Sequence, residues 1–125
     1  MKMATHIRYL LAGGILAVGL FSCSKTALPP KPQPSPFAAT IDPAATSIPA
    51  AGGIVNITIK AGSDGWWITA PSTNWCTIPK TFGSGDYVLP LTLKANSTGA
   101  VRSISIVVNP SFGLKADTVM LNQLN

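Results

Sequence analysis

Three tryptophans and one of the chain's two cysteines fall within residues 63–76 (SDGWWITAPSTNWC). An indole offers two kinds of chemistry. It can fill the interior of a small domain, or it can lie exposed as a flat apolar platform on which the face of a sugar ring stacks. Spacing separates these uses. On an extended segment Trp66, Ile68 and Ala70 share one face while Trp67 and Thr69 share the other, so both adjacent tryptophans cannot point inward on a regular strand. Trp66 and Trp75 are expected to be core, with Cys76 beside them as a buried apolar thiol. Trp67 is expected to face outward, as a sugar platform or under a covering loop or partner, with Tyr87, Phe82 and Phe112 as candidate neighbours. A bulge would exchange the roles of Trp66 and Trp67.

Catalytic chemistry has little to draw on. The chain holds one histidine, His6, no glutamate, and four aspartates at 42, 64, 86 and 117. Without imidazole or glutamate near the tryptophans, the usual general base, the usual zinc ligands and an activator for Cys76 are all missing. Asp64 and Asp86 lie in Gly-Ser stretches, where aspartate commonly bonds local backbone; calcium ligation is the rarer alternative. The expectation is a protein that is not an enzyme and uses no metal or cofactor.

The N-terminal region reads as targeting sequence. Lys2 and Arg8 precede the apolar run at 9–20 (YLLAGGILAVGL), too short for the ~20 residues of a spanning helix. Leu20-Phe21-Ser22-Cys23 resembles the lipobox of bacterial lipoproteins, which implies cleavage before Cys23 and acylation, typically with palmitate, of that cysteine. Residues 1–22 are then a signal peptide and 23–36 an acylated cysteine with a proline-rich linker. Prolines at 29, 30, 32, 34 and 36 favour polyproline II, able to hold a domain roughly 40 Å from a bilayer at about 3.1 Å per residue. No acidic residue follows Cys23 closely, which points to an outer-membrane anchor facing the periplasm rather than the cell surface. Acylation would leave Cys76 without a disulfide partner. Loss of residues 1–22 also leaves seven basic side chains, scattered from Lys25 to Lys115, against four aspartates, a net charge of +3. That distribution has no basic patch and argues against nucleic acid.

Residues 37–125 must position the aromatic cluster. Charged residues are only 10% of the chain, and glycine and proline number eleven each, a balance suited to short strands and tight turns. Period-two alternation sends Val55, Ile57 and Ile59 inward over 54–60; Tyr87, Leu89, Leu91 and Leu93 over 87–94; Ile104, Ile106 and Val108 over 102–108; Val119 and Leu121 over 118–123. Pro90 marks its stretch as an edge strand or a local break. Turn signals fill 61–65, 82–86, 95–99 and 109–113. About seven strands without helical periodicity predict a single all-β domain, an immunoglobulin-like antiparallel β-sandwich.

Within it, the order of several features resembles the BACON domain. These are Gly52-Gly53, Trp66 and Trp75 followed by Cys76-Thr77-Ile78-Pro79, Gly83-Ser84-Gly85, Ala95-Asn96, Arg102-Ser103-Ile104-Ser105-Ile106, and Gln123. The family is one of small sandwich modules in bacterial envelope and secreted proteins, often attached to glycan-degrading enzymes. The resemblance implies that fold and either of two roles. One is carbohydrate binding, for which the alternation of residues offers Trp67 as platform; the other is a scaffold, spacer or protein-interaction role in the envelope.

Overall fold

The computed structural model describes residues 27–125, so the apolar run at 9–20 and Cys23 lie outside the described residues. The chain divides into Met1–Pro32, of which residues 27–32 are described and carry no regular structure, and Gln33–Asn125, which is the sandwich. Among the described residues no helix is long and apolar enough to cross a membrane.

Among the described residues nine strands form two sheets: β1 (Ala38–Ile41), β2 (Ser47–Ile48), β3 (Gly53–Lys60), β4 (Gly65–Thr69), β5 (Cys76–Thr77), β6 (Phe82–Ser84), β7 (Tyr87–Leu93), β8 (Arg102–Pro110) and β9 (Asp117–Gln123). The four-stranded sheet runs β1-β3-β7-β5 and the five-stranded sheet β2-β9-β8-β4-β6. The protein is thus an all-β sandwich, with two more strands than the about seven expected. After β1 the chain passes through a single 3-10 turn, Pro43–Thr46, and changes sheets, so that β2 joins β9 in parallel while the other pairings are antiparallel.

The four long strands behave as their alternation requires. Val55, Ile57, Ile59, Leu89, Leu91, Leu93, Ile104, Ile106, Val108, Val119 and Leu121 are all buried and belong to one core cluster with Trp66. Each contributes alternate residues to the space between the sheets because strand side chains change face at every residue. Pro90 does not break β7. Although β7 lies between β3 and β5, β5 pairs only with Thr92 and Leu93, so the proline has a neighbour, Asn56, on one side alone. Its missing N–H therefore leaves no gap in the ladder on that open side.

Loops are locked by side chains. Asp86 accepts hydrogen bonds from the backbone N–H groups of Ala61 (2.9 Å) and Gly62 (3.0 Å) and pairs with Lys60 at 3.3 Å, and these bonds hold its carboxyl below the usual aspartate range. Asp64 accepts from Ser35 N–H, which fastens the end of the proline-rich stretch to the sandwich, and Asp117 accepts from Ala39 N–H at 2.8 Å. Three of the four aspartates are thus used by backbone, but the groups they hold lie 24 to 78 residues away in sequence, so they tie distant segments together rather than forming their own local turns. Asn96 knits the β7–β8 connection by donating to the carbonyls of Ala100 (2.7 Å) and Leu124 (2.9 Å) while accepting from Thr98. Gly52, at φ 77°, turns the chain into β3 where any Cβ would collide with the carbonyl of Leu93.

At one end of the sandwich Gln123 is fully buried on β9 yet joins several segments. Its Nε2 donates to the carbonyls of Lys94 (2.8 Å), Pro49 (3.3 Å) and Ala50 (3.4 Å), and its Oε1 accepts from Arg102 Nε (2.8 Å). The Arg102 guanidinium in turn donates to the Lys94 and Ala95 carbonyls and lies 4.4 Å from the centroid of the Trp75 ring. Removing the amide takes one bond from each of these carbonyls, which keep a second donor in Arg102, Gly52 and Asn96, and leaves the Arg102 Nε–H without its acceptor, at about 1–3 kcal/mol for the unsatisfied group and about 1 kcal/mol for each lost bond. Gln123→Leu is therefore expected to lower the unfolding free energy by about 3 kcal/mol, read as a shifted urea midpoint with unchanged slope. A loss under about 1 kcal/mol would show that water replaces these bonds.

Candidate functional site

The site is built from the β4–β6 pair. Trp66, at 2% exposure, points into the sandwich and sits opposite Gly83 of β6. A Cβ at residue 83 would lie 2.5 Å from Trp66 Cζ2, closer than real Cβ atoms come, so the indole occupies the space that only glycine leaves open. The indole Nε1–H donates to the Gly85 carbonyl at 3.1 Å. Tyr87 lies against it with ring centroids 5.7 Å apart, and Lys80 Nζ stands 4.6 Å from the tyrosine centroid. Residues 82–84, which read as a turn in sequence, are thereby a strand: a glycine that signals a turn is here the bed of a tryptophan.

With Trp66 inward, Trp67 must face out, and it is 48% exposed. Its partner across the ladder is Phe82, 72% exposed on the same face. Residues directly opposite in antiparallel strands have Cβ atoms roughly 5 Å apart. Among the described residues the aromatic ring pair formed is Trp66 with Tyr87; Trp67 and Phe82 are register partners whose rings do not cover each other. On the other side of Trp67 stands Asn109 of β8. Its Nδ2 donates to Thr69 Oγ1 (3.0 Å) and to the Trp67 carbonyl (3.3 Å), leaving Oδ1 without a partner among the described residues.

The expected neighbours of Trp67 therefore separate. Phe82 joins it. Tyr87 does not, because it occupies an inward position of β7 and packs on Trp66; as a partner of Trp67 it is corrected. Phe112 lies at the tip of the β8–β9 connection, 65% exposed, just beyond Ser111, whose hydroxyl accepts from Gly65 N–H at 3.0 Å. Trp66 and Cys76 are buried, whereas Trp75 is only partly so, packed against the core under Arg102. Cys76 is free, and burial pushes its thiol up. It lines an open pocket of about 230 Å³ with Ile68, Ala70, Thr73, Ile78 and Thr81. Among the described residues no three His, Cys, Asp or Glu come together.

Asn109 was not singled out by sequence. The alternation ends at Val108 and residues 109–113 read as a turn, whereas β8 continues through Asn109 to Pro110; the place of Asn109 beside Trp67 depends on β4 pairing with β8, 42 residues away, which alternation does not encode.

No family model matches the chain, and no curated protein matches it. Among solved structures it is similar to a Bacteroides ovatus GH5 xyloglucanase in complex with a XXXG heptasaccharide, at 23% identity and a TM-score of 0.56, covering 69% of this chain and 18% of that one. At this identity the likeness is one of fold, and this chain spans under a fifth of the xyloglucanase.

Phe112 carries strain as well as exposure. It has φ 63° and is followed by Gly113 at φ 67°, two left-handed residues in succession, a backbone that Asn-Gly adopts readily and a bulky side chain does not. Phe112→Asn is expected to stabilise the fold by about 1 kcal/mol, the cost of the left-handed conformation relieved, visible as a higher melting temperature. A lower melting temperature would mean that packing of the ring outweighs the strain.

Proposed function

We propose that this chain is a non-catalytic, lipid-anchored envelope protein, acylated at Cys23 and resembling BACON modules, whose sandwich binds carbohydrate on the outer face of its five-stranded sheet. The observation that carries this is the in-register pair Trp67 and Phe82, two exposed aromatic residues on adjacent strands with Asn109 next in line. Sugar recognition combines flat apolar contact with the C–H face of a ring and hydrogen bonds to its hydroxyls, and both components are present within one row of the sheet. The reading rests on that face, not on the activity of the longer xyloglucanase. A protein partner of the envelope is the competing occupant, and the same variants test it.

The full chain carrying Cys23→Ala is expected to be retarded in native gels containing one or more soluble polysaccharides. Trp67→Ala, checked for an unchanged fold by circular dichroism, is expected to remove that retardation. Truncation of one stacking ring costs affinity about tenfold or more when the ring is the principal contact. Retardation that survives Trp67→Ala would move binding elsewhere on the molecule.

The anchor has its own test. Expressed in a Gram-negative host, the parent is expected in the outer-membrane fraction and labelled by radioactive palmitate. Cys23→Ala is expected to lose both properties; a labelled variant would remove the acylation site from residue 23.

A further inference from the structure

Resting on the carbohydrate reading above, we infer that the ligand is a neutral polysaccharide lying across the strands, with successive sugar units over Phe82, Trp67 and Asn109. The first half follows from charge. The burial alternation turns outward Trp67 and Thr69 of β4, Phe82 and Ser84 of β6, Ser105, Val107 and Asn109 of β8, and Thr118, Met120 and Asn122 of β9. No outward-facing residue of these strands is charged. The corresponding face of the four-stranded sheet differs, carrying the Lys60–Asp86 pair and no outward aromatic ring. Near the rings, Lys80 is engaged over Tyr87 and Trp66. A uronate or sulfate brought onto the aromatic face would give up hydration with no cation among its outward strand residues to replace it, which is unfavourable, whereas a neutral sugar gives up only hydroxyl hydration that amide and hydroxyl side chains restore.

The second half follows from register. Phe82, Trp67 and Asn109 are direct partners across three adjacent strands, so they form a row perpendicular to the strands. Neighbouring strands lie about 4.8 Å apart, close to the length of one pyranose unit in an extended glycan. Along β4 itself, by contrast, the outward positions flanking Trp67 are Gly65 and Thr69, which offer no second ring. Asn109 is preset for the third place. Its Nδ2 is held by Thr69 and the Trp67 carbonyl, which leaves Oδ1 to accept from a sugar hydroxyl while the Thr69 hydroxyl, already accepting, keeps its proton to donate.

The test titrates the full Cys23→Ala chain against neutral polymers (galactomannan, arabinoxylan, mixed-linkage β-glucan) and anionic ones (polygalacturonate, alginate, chondroitin sulfate) at low and high sodium chloride. Expected is binding to one or more neutral polymers that changes less than about twofold with salt, since no ion pair is screened. Phe82→Ala and Asn109→Ala are each expected to weaken it about fivefold to tenfold, with Thr58→Ala on the opposite sheet as an unaffected control. Trp67-dependent binding confined to anionic polymers would overturn the neutral class while leaving the carbohydrate reading intact. Neutral binding abolished by Trp67→Ala but untouched by both Phe82→Ala and Asn109→Ala would overturn the cross-strand path. Absence of binding to every polymer would overturn this inference and the carbohydrate reading together.

Discussion

The contact between the Trp66 indole and Gly83 governs how this end of the sandwich is arranged. An indole is the largest side chain available to fill the space between two sheets, and here it extends over the neighbouring strand, where a side chain would stop it. Once Gly83 lies beneath the ring, the register of β6 on β4 is set, and the Nε1–H bond to Gly85 fixes the indole against sliding. Strand geometry supplies the rest. Residues adjacent to inward positions must face outward, so burying Trp66 and Gly83 exposes Trp67 and Phe82, and the register that joins the inner pair also joins the outer pair. One packing contact thus produces both a core and a surface.

The opposite end is organised by polarity. Gln123 and Arg102 gather carbonyls from the β2–β3 turn and the β7–β8 connection, with Trp75 shielding the guanidinium. Buried polar groups are costly unless every bond is made, and among the described residues no buried side-chain nitrogen or oxygen lacks a partner. A hydrophobic pair of similar volume would tolerate sliding of β9 against its neighbours; an amide that must meet carbonyls from both sheets' connections does not. The core cluster between these ends supplies the non-directional burial, and the two ends supply the register that burial alone leaves loose.

What was legible in the sequence followed strand length. β3, β7, β8 and β9 run seven to nine residues, long enough for period-two alternation to identify the strands and their inward residues. β2, β5 and β6 have two or three residues, too few for any period to appear, and β6 contains the glycine that signals a turn. The outward orientation of Trp67 was legible because two adjacent tryptophans on one strand cannot share a face. Its partners were less so. Tyr87 was correctly an inward position by its own alternation, which already set it apart from an outward ring, and the pairing of Trp67 with Asn109 arises only when distant strands meet. The lipobox-like segment lies outside the described residues and rests on sequence alone.

The sheet edges bear on which class of ligand the exposed rings serve. A partner protein that adds a strand needs a long, flat edge with unpaired N–H and carbonyl groups. Here the edge strands are β1, β5, β2 and β6, none longer than four residues, and the aromatic edge at β6 has three. Such short edges discourage strand addition, and the apolar exposure at β4 and β6 is displayed on the face of the sheet rather than along its rim. Flanking it are mostly uncharged hydroxyl and amide side chains, with Val107 and Met120 as scattered apolar positions rather than the large apolar core that a stable protein interface gathers around its anchors. A narrow row of two rings and an amide on an uncharged face, where Val107 and Met120 are the other outward apolar side chains, suits a thin, hydroxyl-rich chain better than a broad protein surface. That balance of edge length, ring placement and charge, set by the Trp66–Gly83 contact beneath, gives the carbohydrate reading its advantage over a scaffold role.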